Sequence, residues 1–214
     1  MIAQEIQLPP MSMEPWDQRV ARIIVRPLVK TPVHPNHLTF LTIILALTGC
    51  WMIAKGGEPL PWGATIFALS RFLDHFDGEL ARQSGKTSKL GYYLDYIAGG
   101  ISFSALFFAM GFGFANGMLG NWAILLGAAG TASATISVFL NLGIDKASQF
   151  AEGEAIGYPT FAGFELEDGI YMIVPIAWLG WLEPFFIASG IGATVYTIWT
   201  LFTLLRLRRK KESS

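Results

Sequence analysis

The chain has 214 residues, of which 52% are hydrophobic and only 14% are Asp, Glu, Lys or Arg, whereas a soluble domain carries about 25% charged residues. Sixteen acidic residues nearly balance fifteen basic ones, so the net charge gives no indication of a nucleic-acid partner. Charges are absent from the 49 residues between Asp95 and Asp145 and from the 22 between Glu183 and Arg206. Because a helix needs about 20 mostly apolar residues to cross a bilayer, this composition excludes an ordinary soluble protein.

The N-terminal part of the chain predicts a helix that lies on the membrane. Residues 1–10 lack a basic segment followed by an apolar one, so we expect no signal peptide. In residues 14–30 the apolar side chains recur at helical spacing and the arginines lie on another face: Val20, Ile23, Ile24 and Leu28 against Arg19, Arg22 and Arg26. This pattern is typical of an amphipathic helix in the cytoplasmic interface, and Pro27 bends or ends it.

The remaining charge-free stretches predict an all-α integral membrane protein with six transmembrane helices. The predicted spans are residues 38–54, 62–82, 91–115, 122–142, 169–182 and 184–205. Asn116, Gly117, Gly120 and Asn121 mark the turn inside the longest apolar stretch, and Pro184 breaks the helix before the last span. The chain then divides into an N-terminal segment (1–34), a six-helix membrane domain (35–206) and a basic tail (207–214).

Basic residues predict the orientation. They cluster before span one, between spans two and three, and after span six, and only Lys55 falls on the opposite side. The positive-inside rule therefore predicts an inner-membrane protein with both termini in the cytoplasm.

Three aspartates beside spans two and three are the strongest functional signal. Asp74 and Asp77 are three residues apart, so they share a helix face, with the small residues Gly78 and Ala81 on or beside that face. Gly85 and the polar run after it reverse the chain, so Asp95 returns to a similar depth. We therefore expect all three carboxylates to meet near the cytoplasmic surface.

Three close carboxylates repel one another unless a cation or protons neutralise them. Oxygen ligands favour Mg²⁺ or Mn²⁺, which also bind phosphates, and Arg82 offers a guanidinium suited to phosphate oxygens. The residues thus predict a metal-dependent phosphoryl-transfer site at the membrane surface, on the cytoplasmic side. The alternative is structural: Arg71 and Arg82 pair with the acids in a buried ion network. A transporter or channel is disfavoured because the acids gather at one surface.

The stretch from Asp74 to Asp95 resembles the signature of the CDP-alcohol phosphotransferase family, D-x2-D-G-x2-A-R-x8-G-x3-D-x3-D. Seven fixed positions match at the right spacing: Asp74, Asp77, Gly78, Ala81, Arg82, Gly91 and Asp95. The segment from Pro35 to Thr39 is similar to the family's P-N-x-L-T element.

The resemblance implies transfer of a phosphoalcohol group from a CDP-alcohol, such as CDP-diacylglycerol, to a small alcohol or lipid acceptor, with release of CMP, in phospholipid synthesis. It implies that Asp74, Asp77 and Asp95 ligate one or two divalent metals. Nucleotide contacts are implied for Asn36, Thr39, Gly78, Ala81, Arg82 and Gly91. It also implies a homodimer.

The last fixed Asp of the signature is replaced by Gly99. In the family this Asp is assigned as the base that takes the acceptor's proton, so no catalytic base is identified in this chain. Four interpretations stay open: an inactivating change, natural or engineered; a protein that binds nucleotide or lipid, or serves as a membrane subunit, without turnover; another side chain as base; or an acceptor that needs little help. The candidate substitutes are His75, Glu79 and the acidic cluster at 165–168, for which capping of a helix N-terminus is the simpler role.

Overall fold

A computed structural model of the chain describes residues 15–148 and 166–212, and every regular element among them is helical. The α-helices are α1 (Trp16–Ile24), α2 (Pro35–Lys55), α3 (Pro59–Ser84), α4 (Lys89–Gly113), α5 (Asn121–Ser148), α6 (Ile173–Trp178) and α7 (Leu182–Glu212). Two 3₁₀ helices, Arg26–Lys30 and Leu166–Met172, precede α2 and α6.

Four helices in the described part are long and apolar enough to cross a membrane: Pro35–Lys55, Lys89–Gly113, Asn121–Lys146 and Leu182–Arg209. They agree with predicted spans one, three, four and six, so the chain is a multi-pass membrane protein. Helix α3 coincides with predicted span two and its 26 residues measure about 39 Å, but its second half carries the charged signature. The count of six spans therefore stays a prediction.

The predicted fifth span is not one continuous helix. Where the sequence predicted a helix over 169–182, the chain forms the 3₁₀ helix Leu166–Met172 and then the six-residue α6. The break before α7 lies at Gly180, whose φ of 76° is left-handed. The predicted break at Pro184 is wrong, because Pro184 lies in the first turn of α7, where a missing N–H costs no helical hydrogen bond.

Helix α1 exists where the sequence predicted it, but different residues face the protein. Ala21 and Val25 are fully buried against Phe76 and Leu80 of α3, whereas Ile23 and Ile24 of the predicted apolar face are exposed. The α-helix ends before Pro27, as expected, and gives way to the 3₁₀ helix Arg26–Lys30. Its position at a membrane interface stays a prediction.

Glycines let the long helices cross at short distance. A Cβ on Gly49 of α2 would lie 2.6 Å from the carbonyl oxygen of Gly63 in α3, and a Cβ on Gly127 of α5 would lie 2.8 Å from the Cα of Gly111 in α4. The main core fills the space between these crossings and the start of α7, with Phe67, Met110 and Phe186 almost fully buried. Helices α2, α3 and α4 are thereby held together around the signature.

Candidate active site

The three signature aspartates come together as the spacing predicts. Asp74 and Asp77 lie one turn apart on α3, Asp95 lies in the second turn of α4, and one oxygen of each carboxylate lies within 4.8 Å of the others. Asp74 and Asp77 are buried, whereas Asp95 is exposed. The cluster therefore has a buried side on α3 and an open side on α4.

The short connection between α3 and α4 produces this meeting. Gly85 ends α3 in the left-handed conformation, with φ of 68°, which a residue without Cβ adopts at low cost. Three residues later Ser88 caps α4, and its hydroxyl accepts a hydrogen bond from the backbone N–H of Gly91 at 3.0 Å. The chain reverses within this turn, so Asp95 returns beside Asp77.

Helix α2 and Arg71 hold the two buried carboxylates in place. The Thr39 hydroxyl donates a hydrogen bond to Asp77, and the Thr42 hydroxyl lies 3.5 Å from Asp74. Arg71 donates to Asp74 at 2.6 Å and stacks its guanidinium over the Phe103 ring at 5.1 Å. Thr39, expected beside the nucleotide, thus bonds a carboxylate directly. Thr42 was missed, although its spacing of three residues from Thr39 was a signal.

The structural alternative of an ion network holds for one arginine but not for the other. Arg71 pairs with Asp74, whereas Arg82 pairs with Glu79 through two hydrogen bonds of 2.6 and 3.2 Å. The Arg82 side chain is 40% exposed and that of Glu79 only 4%. The buried Glu79 carboxylate therefore fixes the Arg82 guanidinium, while the Arg82 side chain stays partly exposed to solvent.

The residues expected around a nucleotide share the end of the helices at which α3 turns into α4. A Cβ on Gly78 would lie 3.4 Å from an Arg82 nitrogen, and a Cβ on Gly91 would lie 3.2 Å from the Ser88 hydroxyl and 3.7 Å from the Asn36 side-chain oxygen. Ala81 lies between Gly78 and Arg82 in sequence and is half-buried. The absence of larger side chains keeps the backbone of both helices approachable.

The proposed substitutes for the missing base are engaged elsewhere or lie outside the described residues. His75 lies 2.9 Å from Asp17 of α1, and Glu79 is bonded to Arg82 and, at 3.3 Å, to Gln83. Glu165 and the side chains of the other acids in the 165–168 cluster lie outside the described part of the chain. At position 99 itself, a Cβ would meet no atom of residues 15–148 or 166–212 within 4 Å.

The donor set fits a divalent cation. Three carboxylates from two helices converge, two of them buried, and the guanidinium bonded to Asp74 neutralises only part of their charge. Hard oxygen donors at this separation match the preference of Mg²⁺ or Mn²⁺.

Comparison with known proteins agrees with this geometry. Residues 32–199 match the family model described as CDP-alcohol phosphatidyltransferase. The chain is 27% identical over 154 residues to a phosphatidylinositol phosphate synthase of Streptomyces avermitilis, covering 72% of this chain and 59% of the relative. It is 31% identical over 101 residues to an archaetidylinositol phosphate synthase of Pyrococcus horikoshii, covering 42% of this chain and 53% of the relative. The matches thus span little more than half of each relative.

The fold also resembles a solved structure. The crystal structure of Mycobacterium tuberculosis phosphatidylinositol phosphate synthase with CDP-DAG bound superposes with a TM-score of 0.62 at 19% identity, covering 89% of this chain and 92% of that one. At that identity the likeness establishes a shared fold.

Proposed function

Because the chain belongs to the CDP-alcohol phosphatidyltransferase family, we propose that it transfers a phosphatidyl-type group from a CDP-alcohol, such as CDP-diacylglycerol, to an acceptor alcohol. The observation that carries this proposal is the convergence of Asp74, Asp77 and Asp95 within 4.8 Å at the junction of α3 and α4. The family supports the reaction class, and the relatives named as synthases of phosphorylated inositol lipids support a role in phospholipid synthesis.

In this reaction an acceptor hydroxyl attacks the lipid-bearing phosphorus, the pyrophosphate P–O bond breaks, and CMP leaves with the electrons of that bond. A divalent cation held by Asp74, Asp77 and Asp95 would supply positive charge for the pyrophosphate. Thr39 and Arg71 fix the orientation of the buried carboxylates. The exposed part of Arg82 binds phosphate oxygens of the nucleotide.

The nucleotide lies, in this proposal, along the residues that leave the backbone approachable, namely Asn36, Thr39, Gly78, Ala81, Arg82 and Gly91. The acceptor's proton goes to water or to a group other than residue 99, which is a glycine here. The machinery belongs to a membrane domain of residues 35–206, between an N-terminal segment and a basic tail.

Orientation and assembly complete the proposal. Lys86 and Lys89 lie at the same end of the helices as the carboxylates, and this supports a site open to the cytoplasm, with both termini on that side of the inner membrane. A homodimer is expected from the family resemblance.

A second candidate follows from Gly99: a homologue that binds CDP-linked lipid, or serves as a membrane subunit, without turnover. The two candidates differ in CMP release but share nucleotide binding, so both quantities must be measured.

The test replaces one carboxylate and keeps its shape. In Asp77→Asn we expect Mg²⁺-dependent CDP binding, measured by calorimetry in detergent, to weaken by at least about 100-fold, and any CMP release from CDP-diacylglycerol to fall with it, because a ligand of the cation is lost. Glu58→Gln, at an exposed acid beside the opposite end of α3, is the matched control. Unchanged CDP binding in Asp77→Asn would remove the metal site and the proposed reaction.

A further inference from the structure

A fourth carboxylate lies close to the signature helix but belongs to α5. Asp145 is only 5% exposed, although it lies near the cytoplasmic end of its helix. The hydroxyl of Tyr92 donates a hydrogen bond to its Oδ2 at 2.6 Å, and the hydroxyl of Tyr96 donates to the same oxygen. Both donors come from α4, so these two hydrogen bonds attach the Asp145 carboxylate of α5 to α4.

The other oxygen of this carboxylate is unsatisfied. Asp145 Oδ1 is buried and has no hydrogen-bond partner among the described residues. Buried carboxylate oxygens are rarely left without a donor, because desolvation is then uncompensated. The neighbouring cation does not supply one, since the Lys146 ammonium lies over the Tyr93 ring, 5.8 Å from its centroid. Among the described residues, this buried carboxylate oxygen therefore has no hydrogen-bond donor.

Helix geometry places the tyrosines that bond Asp145 on the same face of α4 as Gly99. Positions 92, 96 and 99 follow the i, i+4, i+7 rule, so Tyr92, Tyr96 and Gly99 share one face of α4, and Asp95 borders it. Among the described residues, a Cβ at Gly99 would meet no atom within 4 Å, so they leave open space on that face. The Asp145 carboxylate is thus bonded to two tyrosines on the face of α4 that carries Gly99 and borders the candidate metal ligand Asp95.

The side chains of Asp145, Tyr92 and Tyr96 together favour a cation that donates hydrogen bonds. The rings of Tyr92 and Tyr96 lie with centroids 5.2 Å apart. Aromatic faces and a carboxylate together attract an ammonium group. The same carboxylate repels a phosphate, because both groups are anions.

We propose that Asp145, with Tyr92 and Tyr96, binds the ammonium group of an amino-alcohol acceptor, whose hydroxyl then occupies the space beside Gly99. This inference rests on the proposed function and names the class of its acceptor. It sets this chain apart from relatives whose names specify a phosphorylated inositol product.

The experiment measures acceptor binding directly, so it does not depend on turnover. Labelled ethanolamine is bound to the full-length protein in detergent, with Mg²⁺ and with or without CDP. Unlabelled ethylene glycol, which lacks the ammonium group, and inositol 1-phosphate, which carries a phosphate, compete for the site. The variants are Asp145→Asn and, as the matched control, Tyr93→Phe, which removes a phenol that does not contact Asp145.

We expect ethanolamine to bind the parent protein, with ethylene glycol and inositol 1-phosphate competing poorly. Asp145→Asn should weaken ethanolamine binding by about 10- to 100-fold, as expected for a lost hydrogen bond to a charged group, while CDP binding and the melting temperature stay close to those of Tyr93→Phe. Tyr96→Phe, which removes one of the hydroxyls that hold Asp145, should weaken ethanolamine binding by a smaller factor.

Three results would overturn the inference: tighter binding of inositol 1-phosphate than of ethanolamine, equal ethanolamine binding by parent and Asp145→Asn, or no ethanolamine binding by a protein that still binds CDP. Each of these leaves the proposed function intact. Absence of Mg²⁺-dependent CDP binding in the parent would overturn the proposed function and this inference with it.

Discussion

Gly99 is the residue at which this chain departs from the family signature, and its surroundings leave room for a side chain. A Cβ at position 99 meets nothing within 4 Å, whereas one at the adjacent Gly100 would lie 2.4 Å from Val138 of α5. Of the two neighbouring glycines, only Gly100 is needed for helix packing. The described residues therefore leave room for the Cβ of an aspartate at position 99.

The Gly99→Asp variant tests this directly. If a base at position 99 is what the chain lacks, CMP release from CDP-diacylglycerol and an acceptor should rise by about 10²–10⁴-fold, the usual contribution of a general base. Gly100→Asp is the control, because it adds the same charge one residue away and clashes with Val138. An active parent that the substitution does not accelerate would mean that the reaction proceeds without this carboxylate.

Glu79 is a second residue whose role depends on its neighbours. It was a candidate base by sequence, but its carboxylate is buried and bonded to Arg82. Glu79→Gln should leave the fold intact and weaken CDP binding by about tenfold, because Arg82 loses its charged partner. Calorimetric titration with CDP measures the effect.

The control for Glu79 is Ser84→Ala on the same helix, where the hydroxyl donates a hydrogen bond to the Leu80 carbonyl. CDP affinity in Glu79→Gln equal to that of Ser84→Ala would show that Arg82 needs no support to bind the nucleotide.

At the scale of elements, α1 is attached to α3 by a polar contact inside an apolar interface. Asp17 of α1 is 2% exposed, and its Oδ2 lies 2.9 Å from His75 and accepts a hydrogen bond from the Tyr171 hydroxyl at 3.0 Å. Burial acts to raise the pKa of Asp17, but the hydrogen bond and charge of His75, together with Tyr171, lower the pKa to about 2.

The sign of this shift fixes how the contact responds to pH. A carboxylate with a lowered pKa stabilises the fold above its unfolded pKa of about 3.9. That contribution is lost as pH falls toward 2.

Asp17→Asn should therefore reduce the free energy of unfolding by about 1–3 kcal/mol at neutral pH, because His75 and Tyr171 lose a buried charged partner. The melting temperature in detergent reports the loss. Gln18→Ala, at a half-buried neighbour on the same helix, is the control. An unchanged melting temperature in Asp17→Asn would mean that apolar packing against Phe76 and Leu80 alone holds α1.

At the scale of the whole molecule, the site depends on how closely α2 approaches α3. The Thr39 and Thr42 side chains reach Asp77 and Asp74 from α2, and the crossing at Gly49 and Gly63 sets the distance between the two helices. A side chain at that crossing must push the helices apart, because its contacts would be backbone atoms that cannot rotate away.

Gly49→Ala should accordingly lower stability by about 1–3 kcal/mol and weaken Mg²⁺-dependent CDP binding as well, although it lies far along α2 from the carboxylates. Gly192→Ala in α7, where a Cβ meets nothing within 4 Å, is the control. Thermal unfolding and CDP titration measure the two effects. Wild-type behaviour of Gly49→Ala in both would show that the crossing adapts without moving Thr39.

The sequence alone determined the helical membrane class, four of the long apolar helices and the meeting of Asp74, Asp77 and Asp95. These features follow from local quantities: runs of apolar residues, helical spacing, and a glycine that reverses the chain between adjacent helices. Only the tertiary structure decided that Arg71 pairs with Asp74 and Arg82 with Glu79, that Gly180 rather than Pro184 separates α6 from α7, and that Asp145 lies against Tyr92 and Tyr96. The Asp145 contact joins α5 to α4 and depends on how the helices rotate and cross, which no local pattern encodes. The two arginine pairs are three residues apart on α3, a spacing that permits each pair but does not decide which acid each arginine takes.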